Sequence, residues 1–221
     1  MNEKLPFEIV FNDEYIVVVN KTGSVLVVPT PKGEKYTLTS VLSAHLKEQV
    51  YPCHRLDRET SGLIIYARTP QLQEQIMRQF KFGDVKKIYL AFVRGRPKRP
   101  KGMLVEKILD KEGARHGEPA KEARTFYRVV NTKYLFSLLE LQPFTGRTNQ
   151  LRIQLANMGN PILGERQYAF GKDFSVNFRR LALHAAAISF IHPISQERVN
   201  LQIRLPRDMQ EFLTRDFRKK T

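Results

Sequence analysis

A single cysteine, Cys53, leaves this 221-residue chain unable to form an internal disulfide, which suits a reducing cytosol. With no second thiol to pair with, Cys53 is read as a small packed residue rather than a nucleophile. No apolar run approaches the roughly 18 residues that a membrane-spanning helix needs. Met1-Asn2-Glu3-Lys4-Leu5-Pro6 lacks the apolar core of a signal peptide. The five histidines (His45, His54, His116, His184 and His192) show no close metal-ligand spacing, so no metal site is expected. Acidic residues are scarce: 22 Asp and Glu stand against 37 Lys and Arg, for a formal net charge of +15. Such an excess implies a polyanionic partner, with nucleic acid favoured over an anionic membrane, and self-repulsion favours a monomer. Internal repeats and clear linkers are absent, and 42% hydrophobic residues allow one sizeable core or at most two small lobes.

What is present alternates between extended and helical patterns. Phe7 to Phe11 and Tyr15 to Val19 read as strands joined by an Asn12-Asp13-Glu14 turn, with Ser24 to Val28 as a further extended run. Leu38, Val41, Leu42, His45 and Leu46 fall at helical spacing, which puts His45 at the edge of a core. Thr69 is placed to cap a second helix, with Pro70 at its first position and Gly83 as its stop. Lys86 to Val93 is rich in β-formers, and Tyr89 projects from the face opposite Ile88 and Leu90.

From about residue 96 to 121 the chain turns to Lys, Arg, Gly and Pro, interrupted by Met103 to Leu109. This reads as a basic insertion, with Lys111 to Pro119 either a loop able to close over a bound polyanion or a solvated linker without specific contacts; charge alone does not separate the two. Ala123 to Val130 and Tyr134 to Leu141 form a hairpin whose apolar residues on both faces suggest a covered sheet. Leu151, Leu155 and Met158 then stripe a short helix stopped by Gly159 and Pro161. Leu181 to Ile191 and the alternating Val199 to Leu205 are late strands, and a helix from about Pro206 carries Met209, Phe212, Leu213 and Phe217 into a basic last turn. Hairpins with scattered helices argue for an α+β fold rather than βαβ winding.

Charge, hydroxyls and glycine crowd together once, in His54-Arg55-Leu56-Asp57-Arg58-Glu59-Thr60-Ser61-Gly62, just before the strand-like Leu63-Ile64-Ile65-Tyr66. Asp57, flanked by Arg55 and Arg58, is held ionised by the nearby positive charge. Turn-forming Thr60, Ser61 and Gly62 put it on a loop that leads into a buried strand. A structural Arg–Asp pair closing a turn explains most isolated arrangements of this kind. Arg147 and Arg152 are placed to be phosphate ligands, a common role in basic proteins.

The wording of the stretch favours a sharper reading. His54-Arg55-Leu56-Asp57, with Thr60-Ser61-Gly62, resembles the signature of the RluA family of RNA pseudouridine synthases. Lys87-Ile88-Tyr89-Leu90-Ala91-Phe92-Val93-Arg94-Gly95 is similar to that family's tyrosine strand, and Gly146-Arg147-Thr148-Asn149-Gln150-Leu151-Arg152 to its third motif. The resemblance runs from about residue 14 to residue 205, and covers Asn160 to Tyr168 and Leu181 to Ala185. Departures are Thr22 for a proline, Asn149 and Gln154 for histidines, and Glu165 for an aspartate.

The resemblance implies a bent, mostly antiparallel mixed sheet with flanking helices and a central basic cleft. It also implies one catalytic domain over residues 1–221, without a separate S4 RNA-binding domain. It makes Asp57 the catalytic aspartate, sets Tyr89 against the uracil and gives Arg152 the task of holding Asp57 ionised and aimed. Arg55 fills the place of a flipped base, while His54, Arg58, Thr60, Arg147, Asn149 and Gln150 bind substrate. The implied substrate is structured rRNA or tRNA in the cytoplasm. Isomerisation involves no redox change and no water, so no metal or cofactor is expected. A non-catalytic RNA-binding module would carry the same charge, but all three of Asp57, Tyr89 and Arg152 are present. A metal-dependent RNA hydrolase would need a carboxylate or histidine cluster near Asp57, and none is visible in the sequence.

Overall fold

The computed structural model describes residues 5–109, 119–169, 176–215 and 217. The loop expected over Lys111 to Pro119 lies outside the described residues as far as Glu118, and so does the basic chain end from Arg218. The chain begins β1 (Phe7–Asn12), β2 (Ile16–Lys21), α1 (Leu38–Leu46), β3 (Tyr51–Pro52), β4 (Ser61–Ala67) and α2 (Pro70–Phe82). It continues β5 (Lys86–Arg94), β6 (Lys101–Ile108), β7 (Lys121–Thr132), β8 (Phe136–Pro143) and α3 (Gln150–Asn157). It closes with β9 (Leu183–Ile191), β10 (Arg198–Gln202) and α4 (Arg207–Thr214). The fold is α+β, and the described strand registers are antiparallel. Two compact units divide the chain: Met1–Lys87 with Ala185–Arg204, and Ile88–His184 with Leu205–Thr221.

The first unit is built on β2 and β4. Ile16 to Val19 and the whole of β4 are buried, which is why both strands read as unbroken apolar runs rather than alternating ones. β1 pairs with β2, and β2 with β4, so that Lys21 stands opposite Gly62. β9 lies beside β4, and β10 pairs with β9. Ile16, Val18, Leu63, Ile65 and Ala67 pack in one cluster with Leu72 and Ile76 of α2. Tyr66 points to the other face, where its hydroxyl lies 3.3 Å from Thr39 Oγ1 in α1.

Helix ends follow their sequence signals. Thr69 Oγ1 accepts from Leu72 N–H at 3.3 Å, and Gly83 closes α2 in the left-handed region. Thr37 and Ser40 form a capping box at α1. Ser24 to Val28 is not a strand, contrary to expectation. Its Leu26 and Val27 carbonyls instead accept the first N–H groups of α1, from Leu38 and Thr39, which the helix itself cannot satisfy. His45 is exposed rather than packed at a core edge; α1 ends one residue later, and its ring meets Phe7 in a T-shaped contact with centroids 5.6 Å apart.

The second unit carries the strand order β5-β8-β7-β6. The supposed basic insertion contains an edge strand: β6 pairs with β7 from Lys101 opposite Arg128 to Ile108 opposite Lys121. The apolar interruption at Met103 was the signal for it. β7 buries Ala123, Thr125 and Tyr127 and exposes Arg124 and Arg128, so it has one wet face rather than two covered ones. α4 docks through Met209 and Phe212, whose ring lies 5.7 Å from Phe92, 5.2 Å from Phe136 and 5.0 Å from Phe178. α4 ends at Thr214, so no basic residue falls in its last turn.

Gly62 marks the tightest constraint on β4. Its φ is +119°, and a Cβ built there would sit 2.3 Å from the Ala185 carbonyl oxygen, a backbone atom that cannot swing aside. Gly83, at φ +84°, has open space around the same position. Gly83→Ala is therefore expected to destabilise by about 1 kcal/mol, from backbone strain alone. Gly62→Ala adds a steric clash and should cost about 3 kcal/mol or more. Urea unfolding of the two variants checks the order; equal losses would remove the close approach as the cause.

Candidate active site

The loop that carries Asp57 is anchored at both ends. Cys53 N–H donates to the Ile65 carbonyl at 2.9 Å, and Ile65 N–H donates to His54 Nε2 at 3.1 Å, so a side chain continues the ladder begun by β3. Burial pushes the Cys53 thiol up to about 12, which makes it an inert packed residue as expected. The His54 ring packs 4.8 Å from Phe80. Burial, helped by the charge of Lys87, drives the His54 pKa down to about 3, so its imidazole is neutral and an acceptor. His54 therefore tethers the loop to β4 through its Nε2, where the sequence expected a substrate contact.

Beyond His54 the chain alternates outward and inward. Arg55 is exposed, Leu56 is buried, Asp57 is half-buried and Arg58 is exposed. Thr60 N–H donates to the Asp57 carbonyl at 3.1 Å and closes the turn. Thr60 itself is buried at 2% exposure, and its hydroxyl has no hydrogen-bond partner among the described residues. The structure thus turns the Thr60 hydroxyl away from solvent, where a substrate contact was expected. Arg58 makes only a long contact with Glu34, at 3.4 Å, which leaves its charge in water.

In the second unit, Tyr89 is half-buried on β5, opposite Leu141 of β8, just before the fully buried Ala91-Phe92-Val93. Arg152 lies on α3 and forms a fork with Glu165: Nε donates to Oε2 at 2.7 Å and Nη2 to Oε1 at 2.9 Å. Its Nη1 donates to Asn149 Oδ1 at 2.7 Å, and the guanidinium lies 5.1 Å from the Tyr168 ring centroid. Glu165 also accepts from the backbone N–H groups of Gln167 and Tyr168. Burial alone would raise the Glu165 pKa. The Arg152 fork, the backbone donors and the guanidinium charge outweigh it and hold the carboxyl below its ordinary range. Glu165 was noted in the sequence only as a departure; its function of orienting Arg152 is legible only in three dimensions.

The third motif divides between scaffold and surface. Gln150, expected to touch substrate, is buried, and its amide is fully engaged. Its Oε1 accepts from Thr145 Oγ1 and Arg147 N–H, and its Nε2 donates to the Arg124 carbonyl and to Thr125 Oγ1. Thr125 in turn donates to Gln154 Oε1 at 2.6 Å. Gln150 thus fixes the turn through these bonds. Asn149 accepts from Arg152 and donates to the Tyr168 hydroxyl at 3.1 Å, which makes it an orienting residue as well. Arg147 is half-buried, with Nε donating to the Glu122 carbonyl at 3.2 Å. No three His, Cys, Asp or Glu side chains cluster as metal ligands among the described residues, and no described helix is long and apolar enough to cross a membrane.

A family model described as RNA pseudouridylate synthase matches residues 15–157. The tRNA pseudouridine synthase C of Vibrio parahaemolyticus is 33% identical over 235 residues, covering 94% of this chain and 94% of that protein. The ribosomal large subunit pseudouridine synthase D of Zymomonas mobilis is 32% identical over 230 residues, covering 94% and 72%. The dual-specificity RNA pseudouridine synthase RluA of Vibrio vulnificus is 34% identical over 202 residues, covering 85% and 79%. Among solved structures, human RNA pseudouridylate synthase domain containing 4 superposes with a TM-score of 0.77 at 27% identity, covering 93% of this chain and 91% of that one. A fold and sequence shared along almost the whole chain define an RNA pseudouridine synthase, an isomerase. Within that class the chain belongs to the RluA family.

Two pH-dependent losses follow from the buried groups. Glu165→Gln breaks a buried ion pair and should cost about 3 kcal/mol near neutrality. Because the folded Glu165 pKa is depressed, the gap to wild type is full above its ordinary value of 4.5 and closes as pH falls below it. His54→Gln leaves a gap that is full above the ordinary histidine value of 6.5 and closes as pH falls toward 3, since the unfolded chain alone takes up the proton. Urea melts across pH 3 to 8 check both; a gap that widens on acidification would reverse the assigned signs.

Proposed function

We propose that this enzyme isomerises particular uridines of structured ribosomal or transfer RNA, as a cytoplasmic monomer, with Asp57, Tyr89 and Arg152 at the reacting base. The single observation that carries the reading is the Arg55-Leu56-Asp57-Arg58 loop, with a half-exposed carboxylate between two exposed guanidiniums directly ahead of buried β4. Relatives that act on tRNA and on the large ribosomal subunit share similar identity with it. The transfer-RNA relatives match over nearly their whole length, so tRNA is the first substrate to test.

The chemistry runs as follows. Lys and Arg side chains capture the backbone through a salt-sensitive term. The target uridine leaves its stack, and Arg55 fills the vacancy. Asp57, held ionised by Arg152, drives cleavage of the N1–C1′ bond, as a nucleophile at C1′ or a base at C2′. The uracil turns with Tyr89 against its ring, and a C5–C1′ bond forms as the Asp57–C1′ bond breaks or, on the C2′ route, as Asp57 returns its proton to C2′. C5 loses a proton and N1 gains one, so atoms and charge balance without a cofactor.

Asp57→Asn should abolish pseudouridine formation, by at least about 10³-fold, since no other group supplies this step. Its RNA affinity should stay within about twofold of wild type. Position-by-position mapping on unmodified total RNA measures the first, and filter binding the second. Tight binding by both proteins with no new pseudouridine from either would replace the enzyme reading by an RNA-binding module. Arg58→Ala should weaken binding to all RNAs alike and reduce the salt slope of log Kd by about one.

A further inference from the structure

The pleat of the second unit sorts its side chains onto two faces. One face carries α3. Thr125 of β7 donates from its hydroxyl to Gln154 of α3 at 2.6 Å, and Glu106 of β6 accepts from Asn157 of α3 at 2.9 Å. Tyr127 shares the Thr125 face and stands opposite Leu141, which in turn stands opposite Tyr89. Tyr89 therefore belongs to the α3 face as well.

The alternate residues of the same strands point the other way. Met103 stands opposite Phe126 and Val105 opposite Arg124, with Lys101 against Arg128 at one end and Lys107 against Glu122 at the other. Arg128 Nη2 donates to both carboxylate oxygens of Glu140 in β8 at 3.0 Å, so the row continues onto β8. Apolar side chains are open to water here: Met103 is 44% exposed and Val105 54%. Phe144, one residue past β8, is 53% exposed, and its N–H donates to the Arg124 carbonyl at 2.9 Å. Scattered exposed apolar residues need no explanation, but a group of them on one face, rimmed by charge, marks an interaction surface. β6 is also an edge strand, a place that charge ordinarily guards.

The composition of the face selects its partner. The rings of Phe126 and Phe144 lie to either side of the Arg124 row, and four cations stand against two carboxylates, Glu122 and Glu140. An unpaired nucleotide offers a π-face to a ring or a guanidinium and a phosphate to an ammonium, whatever its base. A second copy of this chain would instead bring these cations against themselves, on a protein already at +15. We propose that the outer face of β6, β7 and β8 is an accessory RNA-binding surface, which takes an unpaired stretch of the substrate molecule on the side of the sheet opposite Tyr89 and α3. The proposal rests on the reading of structured RNA as the substrate, and not on the role of Asp57.

The probe is a labelled oligoadenylate of about 12 nucleotides, within the span of one stacking surface and without a uridine to convert. Phe144→Ala should weaken its binding roughly 5-fold or more. Lys101→Ala with Arg124→Ala should weaken it too, and reduce the salt slope of log Kd by about 1.4. Lys32→Ala with Lys35→Ala, which removes the same charge from exposed positions of the first unit, should stay within about twofold of wild type. On a short stem-loop carrying the mapped uridine, the face variants should keep the wild-type rate; on the full-length RNA they should lose kcat/KM. Unchanged oligoadenylate affinity in the face variants, or an equal loss in the Lys32 and Lys35 control, would overturn the proposal. So would self-association that the face variants abolish, since the surface would then belong to a second copy. A wild-type protein that converts no RNA would instead overturn the substrate reading, whatever the oligoadenylate data show.

Discussion

Seven consecutive residues, Ser61 to Ala67, are buried without exception, and the functional loop of the first unit depends on that dry strand. A strand closed to water on both faces cannot shift register by one position without moving every side chain to the wrong side. Removing even one large apolar residue from such a site costs about 2–5 kcal/mol. The loop before β4 therefore ends at a fixed point. It also begins at one, because the Cys53 amide and the His54 imidazole bond to Ile65 of the same strand. Between these ends Arg55 and Arg58 are exposed, Asp57 and Glu59 are half-buried, and Leu56 points inward. Exposure of charge and rigidity of backbone, normally opposed in a loop, are obtained together here.

Three buried polar groups show three ways of tolerating desolvation. Glu165 keeps its charge because a guanidinium fork and two backbone donors surround it. Lys21 keeps hydrogen bonds to carbonyls whose partial charges point at it. His54 gives up protonation and serves as an acceptor. Each solution suits its task. Glu165 holds Arg152 in one orientation, which a flexible exposed carboxylate could not do. A protonated His54 could not accept from Ile65, so neutrality is what permits the tether. Along the third motif, Gln150 and Gln154 satisfy buried backbone groups without any charge.

Much of this was legible in the sequence where one residue acts through its own backbone or its own period. Thr69, Pro70 and Gly83 mark the ends of α2, and the apolar runs at Ile16 and Leu63 announce buried strands. The family wording singled out Asp57, Tyr89 and Arg152 as the expected reacting set. Distance in the chain limited the rest. That Gln150 reaches the Arg124 carbonyl, that Glu165 forks with Arg152, and that Lys21 reaches Arg58 are contacts between segments no local pattern connects. Polar residues inside a motif were taken as ligand-facing because motif membership does not say which side of the backbone a side chain takes. His54, Thr60 and Gln150 face inward. β6 was missed because lysines and glycines at an edge strand resemble those of a loop.

The first unit is interrupted: its final segment, Ala185–Arg204, is separated from Met1–Lys87 by the whole of Ile88–His184. During synthesis β4 therefore emerges long before β9, the strand against which Gly62 is fitted. At roughly 5–20 residues per second, the interval is about 5–20 seconds. Until Ala185 leaves the ribosome, the edge of a strand destined to be wholly buried has no neighbour there, and the Asp57 loop has an unfinished support. A nascent chain thus completes the support of this loop only after the whole of Ile88–His184 has been translated. The support of that loop is tied to the arrival of β9.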